Sequence, residues 1–97
     1  MKTLPTNVTA YRKTPVFNEA TIPAALLNRH MAKAGSWAKI SIMSGQLGYR
    51  ILSPVPETHR LNSDTPGIVE PQIPHHVEKL GPVEFYIEFY RDETVSS

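Results

Sequence analysis

The sequence predicts an all-β fold, assembled from short strands into a sandwich or a small barrel. Nine prolines are spread along the 97 residues, and they divide the chain into short segments. No long segment shows the roughly 3.6-residue period of an amphipathic helix. Two segments, 37–43 and 83–90, alternate between apolar and polar side chains, which is typical of strands with one buried face. The chain is long enough for one domain, since domains commonly contain roughly 100–150 residues.

The first half of the chain predicts one helical turn and a hairpin. The turn follows Pro23, at 24–27. The first hairpin strand is 37–43, and Gly45 is the expected turn residue with a positive φ. The second strand then resumes the alternation. The predicted core residues of the two strands are Ala38, Ile40, Ile42, Leu47, Tyr49 and Ile51.

The second half predicts a loop followed by three strands. Residues 55–66 are polar and rich in proline, so we expect a loop there. A short strand at 68–69 leads into a corner at 71–74, and a further strand at 77–80 ends at Gly81 and Pro82.

The last predicted strand covers 83–90. Its predicted core face consists of Val83, Phe85, Ile87 and Phe89, and the opposite face of Glu84, Tyr86, Glu88 and Tyr90. We expect the tail at 92–97 to fray.

Composition excludes several classes of function. Ten basic and nine acidic residues give a formal net charge of +1, and the basic residues are scattered singly, so we expect neither nucleic acid nor a membrane as a partner. The absence of cysteine excludes disulfides, thiolate nucleophiles and cysteine zinc sites. No segment approaches the roughly 20 apolar residues of a membrane span, and 1–10 lacks the apolar run of a signal peptide. We therefore expect a cytoplasmic protein, and its small size favours a homodimer.

The order of several short motifs resembles a known family. The motifs are Pro15-Val-Phe17, Arg29-His30, Lys33, Gly35, Trp37-Ala-Lys-Ile40, Gly45, Glu70-Pro-Gln-Ile-Pro-His-His-Val-Glu78 and Phe89-Tyr90. Over about residues 11–92 this order resembles the small domain found at the N-terminus of some tellurite-resistance TehB proteins and as the free-standing YeaR-type protein. The chain differs at Pro74, where the family usually has a tryptophan.

The resemblance implies a single cupin-like domain over 1–97, with a double-stranded antiparallel β-barrel of the jelly-roll type. It also implies an association with tellurite resistance or a related stress response, with no known biochemical activity. It does not imply methyltransferase activity, which belongs to a separate Rossmann-like domain in the longer TehB proteins. This chain has no glycine-rich strand–helix turn that would bind S-adenosylmethionine.

His30 and His75 are the main candidate site residues. The resemblance to cupins places the two strands that carry them close together, and His75 matches the histidine of the second cupin motif. Two histidines and a carboxylate suit zinc, nickel or iron. The candidate carboxylates are Glu70, Glu78 and Glu88, of which Glu88 is preferred. Alternatively, each imidazole bonds a neighbouring backbone or carboxylate group and orders the pocket.

Arg29 and Lys39 are candidate ligands for a small oxyanion, because a guanidinium binds such groups in a bidentate manner. Trp37 and Tyr86 are expected to line the same pocket, although core or interface packing would also explain them. His76 neighbours His75 and would point to the opposite face of an extended strand. His59 is expected to be a solvated surface residue.

Three functions remain open from the sequence. The first is a module that binds a metal ion or small molecule in the barrel. The second is a small metalloenzyme in which His30, His75 and one glutamate hold a divalent metal that activates water or substrate. The third is an interaction module for a separately encoded methyltransferase. The sequence leaves open whether the protein is an enzyme.

Overall fold

A computed structural model describes residues 1–92, which contain six strands and one short helix. The elements are β1 (Val8–Lys13), β2 (Phe17–Asn18), α1 (Ala24–Leu27), β3 (Ser36–Ile51), β4 (Glu57–Leu61), β5 (Gly67–Val69) and β6 (His75–Asp92). The all-β class and the helical turn are thereby confirmed. The helix in the described part is too short to cross a bilayer. Of the predicted frayed tail, Asp92 ends β6 and 93–97 lie outside the described residues.

Two long antiparallel strands, β3 and β6, form the centre of the sheet. Their register runs from Ser36 opposite Arg91 to Ile51 opposite His75. Strands β1 and β2 pair with β6, whereas β4 and β5 pair with β3. Closure into a barrel would require the edge strands β1 and β4 to pair, and within residues 1–92 they do not. The sheet is therefore open and the predicted closed barrel is wrong, whereas the cupin-like relationship stays a prediction.

β-Bulges bend β3 and β6 at the positions where the sequence suggested chain breaks. The register shifts between Ile42 and Ser44 and again between Gly45 and Leu47. Gly45 has the predicted positive φ, 76°, but it lies inside β3 and pairs with Val83 of β6. A bulge with a left-handed glycine kinks a strand without ending it. The predicted hairpin at Gly45 and the predicted strand end at 81–82 are therefore both wrong.

Three strands have no counterpart in the predictions. The segment 55–66, predicted as a loop, contains β4. Its less exposed positions include Glu57 and His59, so a polar sequence conceals the alternation of the strand. Strands β1 and β2 cover the edge of β6 and bury few apolar side chains. Strands of this kind carry little of the hydrophobic signal from which strands are predicted.

The predicted apolar faces of β3 and β6 form the core. Ala38, Ile40 and Ile42 pack there with residues beyond the bulge, and the buried members of β6 are Val77, Val83, Phe85 and Ile87. Tyr49 is 1% exposed, and its hydroxyl donates a 2.9 Å hydrogen bond to the carbonyl of Ile68. Burial raises the pKa of the Tyr49 phenol. The hydroxyl therefore stays protonated and fixes β5 against β3.

The bulge at Gly45 generates a stability prediction. Gly35 and Gly45 have nearly the same φ, 77° and 76°. A Cβ at Gly35 would meet nothing within 4 Å, whereas a Cβ at Gly45 would overlap the carbonyl oxygen of Pro82. We expect Gly35→Ala to lower the free energy of unfolding by about 1 kcal/mol, the cost of the left-handed backbone. Gly45→Ala should cost about 3 kcal/mol or more, because steric overlap adds to that cost.

Urea denaturation of both variants and the wild type measures this difference. Gly35→Ala is the matched control for backbone conformation. Equal losses in the two variants would contradict the close contact between the bulge in β3 and Pro82 in β6.

Candidate functional site

A cavity of about 340 Å³ lies between β1, the first half of β3 and both ends of β6. Both ends of β6 reach it because the bulges bend the central strands. Its apolar walls are formed by Leu26, Met31, Ala32, Ala38, Ile40, Val69, Val77, Ile87 and Phe89. Its polar lining consists of Tyr11, Arg12, His30, Lys33, Ser36 and His75. Concave, mostly apolar pockets with a few polar groups are the usual form of small-molecule sites.

Backbone pairing brings His30 and His75 together. The amide of His30 donates to the carbonyl of His75 at 3.0 Å, and the amide of His75 donates back at 2.9 Å. Ile51 of β3 pairs with His75 from the other side, so His75 is fixed between two neighbours. The two imidazole centroids lie 4.3 Å apart. The predicted proximity is therefore present, while metal binding by the pair stays a prediction.

The tautomer of His75 follows from its hydrogen bond. Nδ1 lies 3.0 Å from the carbonyl oxygen of Ile73, which can only accept, so Nδ1 carries the proton and donates. The pKa of His75 is lowered, chiefly by burial and further by its neighbours His30 and His76, against the opposing effect of the Ile73 carbonyl. His75 is therefore neutral near pH 7, and its Nε2 offers a lone pair.

His30 presents a different hydrogen-bonding problem. Its Nε2 is buried and has no hydrogen-bond partner among the described residues. A buried polar atom without a partner costs about 1–3 kcal/mol, so such atoms are uncommon and frequently mark functional positions. The unsatisfied nitrogen lies on the ring beside His75, in the residue pair that the sequence indicated.

A bulge in β1 contributes the hydroxyl group of Tyr11. The pairing of β1 with β6 shifts between Ala10 and Arg12, so Tyr11 is the bulged residue, and bulges commonly redirect a side chain. The Tyr11 hydroxyl lies 2.9 Å from Oγ of Ser36. Ser36 is 2% exposed, so this pair of hydroxyls forms a buried polar group in the wall.

The other residues predicted to bind a ligand lie outside the cavity. In the register of β3 with β6, Trp37 is opposite Tyr90, Lys39 opposite Glu88 and Ser41 opposite Tyr86. Because side chains alternate along a strand, burial of Ala38, Ile40 and Ile87 directs these neighbours to the opposite face. Arg29 is exposed, and it does not line the cavity either.

The candidate carboxylates are also outside the cavity. Glu70 is paired with Lys2 at 3.4 Å, and Glu78 lies 3.5 Å from Arg50 and 3.7 Å from His76. His76 thus faces away from His75, as expected for an extended strand. Across residues 1–92 no group of three or more His, Asp or Glu side chains converges on one point. The predicted carboxylate ligand Glu88 does not join the two histidines.

His59 differs from its prediction as a solvated residue. It belongs to β4, and its side chain is 27% exposed. Its Nε2 lies 2.8 Å from Oε1 of Glu57, which also binds the amino group of Met1 at 2.8 Å. Both partners help to lower the pKa of Glu57. This cluster ties the N-terminus to β4 and is separate from the cavity.

Four polar lining residues were missed from the sequence. Tyr11 and Arg12 lie on a strand that was not predicted, and Lys33 and Ser36 belong to the segment that enters β3. The resemblance includes Lys33 among its motif residues, which was the one available signal for this group.

Comparison with known proteins identifies the family. A profile of the TehB-like domain matches residues 12–87. The chain belongs to the TehB-like family. This finding confirms the resemblance inferred from the motif order, and it covers both histidines of the cavity.

Individual relatives agree with the family assignment. A probable S-adenosyl-L-methionine-dependent methyltransferase TehB of Haemophilus influenzae is 29% identical over 85 residues, covering 82% of this chain and 30% of that protein. The crystal structure of TehB from the same organism superposes with a TM-score of 0.83 at 27% identity, over 90% of this chain and 32% of that one. This TehB-like chain thus spans about a third of those relatives.

A second solved structure matches over nearly its whole length. It is a protein from Escherichia coli strain K12, with a TM-score of 0.82 and 26% identity, and the match covers 93% of this chain and 96% of that chain. The same TehB-like fold therefore occurs in chains of two very different lengths.

Burial of neutral His75 predicts a pH-dependent stability. Because its folded-state pKa lies below the unfolded value of 6.5, the neutral form is favoured by folding. This contribution is complete above the unfolded pKa and is lost as pH falls through the folded pKa. We expect the free energy of unfolding to decrease from about pH 7 to about pH 5, and to decrease less in His75→Asn. Asparagine retains a donor for the Ile73 carbonyl but does not titrate.

Denaturant titrations at several pH values measure this dependence. His76→Asn, which alters the neighbouring histidine outside the cavity, is the matched control and should retain the wild-type pH profile. A His75→Asn profile that matches the wild type would show that His75 does not cause the acid sensitivity.

Proposed function

We propose that this TehB-like chain is a small-molecule-binding module that acts in tellurite resistance or a related stress response. The observation that carries the proposal is the 340 Å³ cavity in which His30 and His75 are in contact. The tellurite association derives from the family, in which TehB proteins are linked to resistance. The cytoplasmic location and the homodimer predicted from the sequence are part of this proposal.

The shape and chemistry of the cavity support binding. Its volume falls in the range of roughly 300–1,000 Å³ that is usual for ligand pockets. Its apolar walls provide a favourable free energy of about 25 cal/mol per Å² of apolar surface removed from water. The unpaired Nε2 of His30 offers a group that a ligand can satisfy. Affinity and orientation would thus come from different parts of the same cavity.

Methyltransferase activity is not part of this proposal. That activity is named for a relative of which this chain covers 30%. The cavity is built entirely from residues of this chain. We therefore assign to this chain the binding of a ligand, with any chemistry on that ligand left to a partner or a further domain.

Filling the cavity tests the proposal. Ala38 is 2% exposed and lines the cavity, so Ala38→Leu inserts a larger side chain into the ligand volume. We expect Ala38→Leu to weaken binding of small aromatic fragments by about tenfold or more, since part of the apolar contact is lost. Calorimetric titration of a fragment series with the folded variant measures this effect.

Ala25→Leu is the control for the cavity variant, because Ala25 is exposed on α1 and outside the cavity. It should bind fragments with wild-type affinity. If the Ala38→Leu protein is folded and binds every fragment as tightly as the wild type, the cavity is not the binding site.

A second candidate, favoured by the contact between the imidazoles, is binding of a divalent metal by His30 and His75. A histidine that binds a metal commonly donates its other nitrogen to a carbonyl, as His75 does to Ile73. The two imidazoles fit such a role, whereas the predicted third ligand Glu88 does not reach them. A bound metal would supply Lewis-acid chemistry, and its remaining ligands would be water or substrate.

Metal analysis distinguishes this candidate. Plasma mass spectrometry is applied to protein purified without a His-tag or chelator, beside the His30→Ala/His75→Ala double variant. Near-stoichiometric zinc, nickel or iron in the wild type and its loss in the variant would support a metal site. His76→Ala should keep the metal. Wild-type protein that cannot be loaded with any of the three metals would contradict this candidate.

A further inference from the structure

We propose that the ligand of the cavity is an organic anion with an apolar body, whose charged group lies between Arg12 and Lys33. These two residues are called the cationic rim. This inference rests on the proposed function, because it names the chemical class of the ligand for the same cavity. It differs from the oxyanion site predicted at Arg29 and Lys39, since neither of those residues lines the cavity.

The charge of the lining is entirely of one sign. Arg12 and Lys33 contribute to the cavity, and none of its lining residues within 1–92 is an aspartate or glutamate. A cavity lined by one sign of charge, with walls of low dielectric constant, attracts ions of the opposite sign. The near-neutral total charge of the chain, +1, conceals this local excess.

The cations of the rim contact aromatic rings and form no ion pairs within the described chain. The Arg12 guanidinium carbon lies 5.7 Å from the Phe89 ring centroid, and Nζ of Lys33 lies 6.0 Å from that of Tyr11. The guanidinium of Arg91 also lies over Tyr11, at 5.0 Å. Ring contacts hold a cation in place without neutralising its charge. By contrast, Lys2 and Arg50, on other surfaces, are paired with glutamates.

Hydroxyl groups beside the rim can complete the anion site. Tyr11 and Ser36 share one hydrogen bond of 2.9 Å. Two hydroxyls have two protons, and their mutual bond uses one of them. The second proton is available to an acceptor in the cavity. A charge-assisted hydrogen bond of this kind is stronger than one between neutral groups.

The apolar walls require that the anion have an organic body. Ala38, Ile40, Val77 and Ile87 offer no hydrogen bond from their side chains. A bare inorganic oxyanion has no apolar surface to place against them. His75 presents a lone pair at Nε2, because its proton is on Nδ1, and a lone pair repels an anionic oxygen. The charged group is therefore directed to the rim, and the apolar body to the walls.

A series of isosteric probes tests the class of ligand. Phenylacetate, phenylacetamide and phenethylamine share an aromatic body and differ in charge. We expect calorimetry at low salt to give an affinity for phenylacetate about tenfold or more above that for phenylacetamide, with phenethylamine weakest. Added salt should weaken phenylacetate binding and leave phenylacetamide unaffected, because screening acts on the charge interaction.

Variants of the rim locate the charge preference. Arg12→Gln and Lys33→Gln should each weaken phenylacetate binding by about fivefold and leave phenylacetamide binding unchanged. Both side chains are exposed at the rim, so the variants should fold. Arg60→Gln is the matched control, because Arg60 is an exposed cation on β4 away from the cavity. It should bind both probes as the wild type does.

The outcomes separate this inference from the proposed function. Equal binding of phenylacetate and phenylacetamide, abolished for both by Ala38→Leu, would overturn the anion preference and leave the binding module in place. Tellurite alone binding as tightly as phenylacetate would overturn the need for an apolar body. If none of the probes or fragments binds the wild type, the proposed function fails, and this inference fails with it.

Discussion

The pairing of β3 with β6 is the constraint on which the rest of the structure depends. Every other strand in residues 1–92 pairs with one of these two. Because side chains alternate along a strand, a shift of the register by one residue would exchange the two faces of the sheet. Ala38, Ile40 and Ile87 would then leave the core, and the cavity would lose its walls. The fixed register thus determines both the core and the site.

The bulges turn this flat pairing into a cavity. Gly45 is accommodated opposite Val83, and the bend allows residues from both ends of β6, such as Val77 and Phe89, to line one space. His30 then attaches to the end of β6 through two backbone hydrogen bonds to His75. The imidazole contact follows from backbone geometry, which places the two rings on the same side. A rigid sheet therefore holds groups that come from distant parts of the sequence, as binding sites require.

The sequence predicted the parts of this structure that depend on apolar patterning. The core faces of β3 and β6 follow from alternation, and the proximity of His30 and His75 follows from the family resemblance. Glycine and proline at 45 and 81–82 were misinterpreted as chain breaks, because a bulge and a turn require the same residue types. Trp37, Lys39, Tyr86 and Glu88 were placed in the pocket, although they alternate with the buried residues. Tyr11 and Arg12 were missed, since β1 has no clear apolar face.

The central claim is that a small organic ligand occupies the space beside His30 and His75. The most direct measurement is a set of intermolecular nuclear Overhauser effects between the ring protons of phenylacetate and assigned methyl groups of the protein. The account predicts contacts to the methyl groups of Ile40, Val77 and Ile87, which line the cavity. Contacts confined to exposed methyl groups outside it, such as that of Met43, would contradict the account.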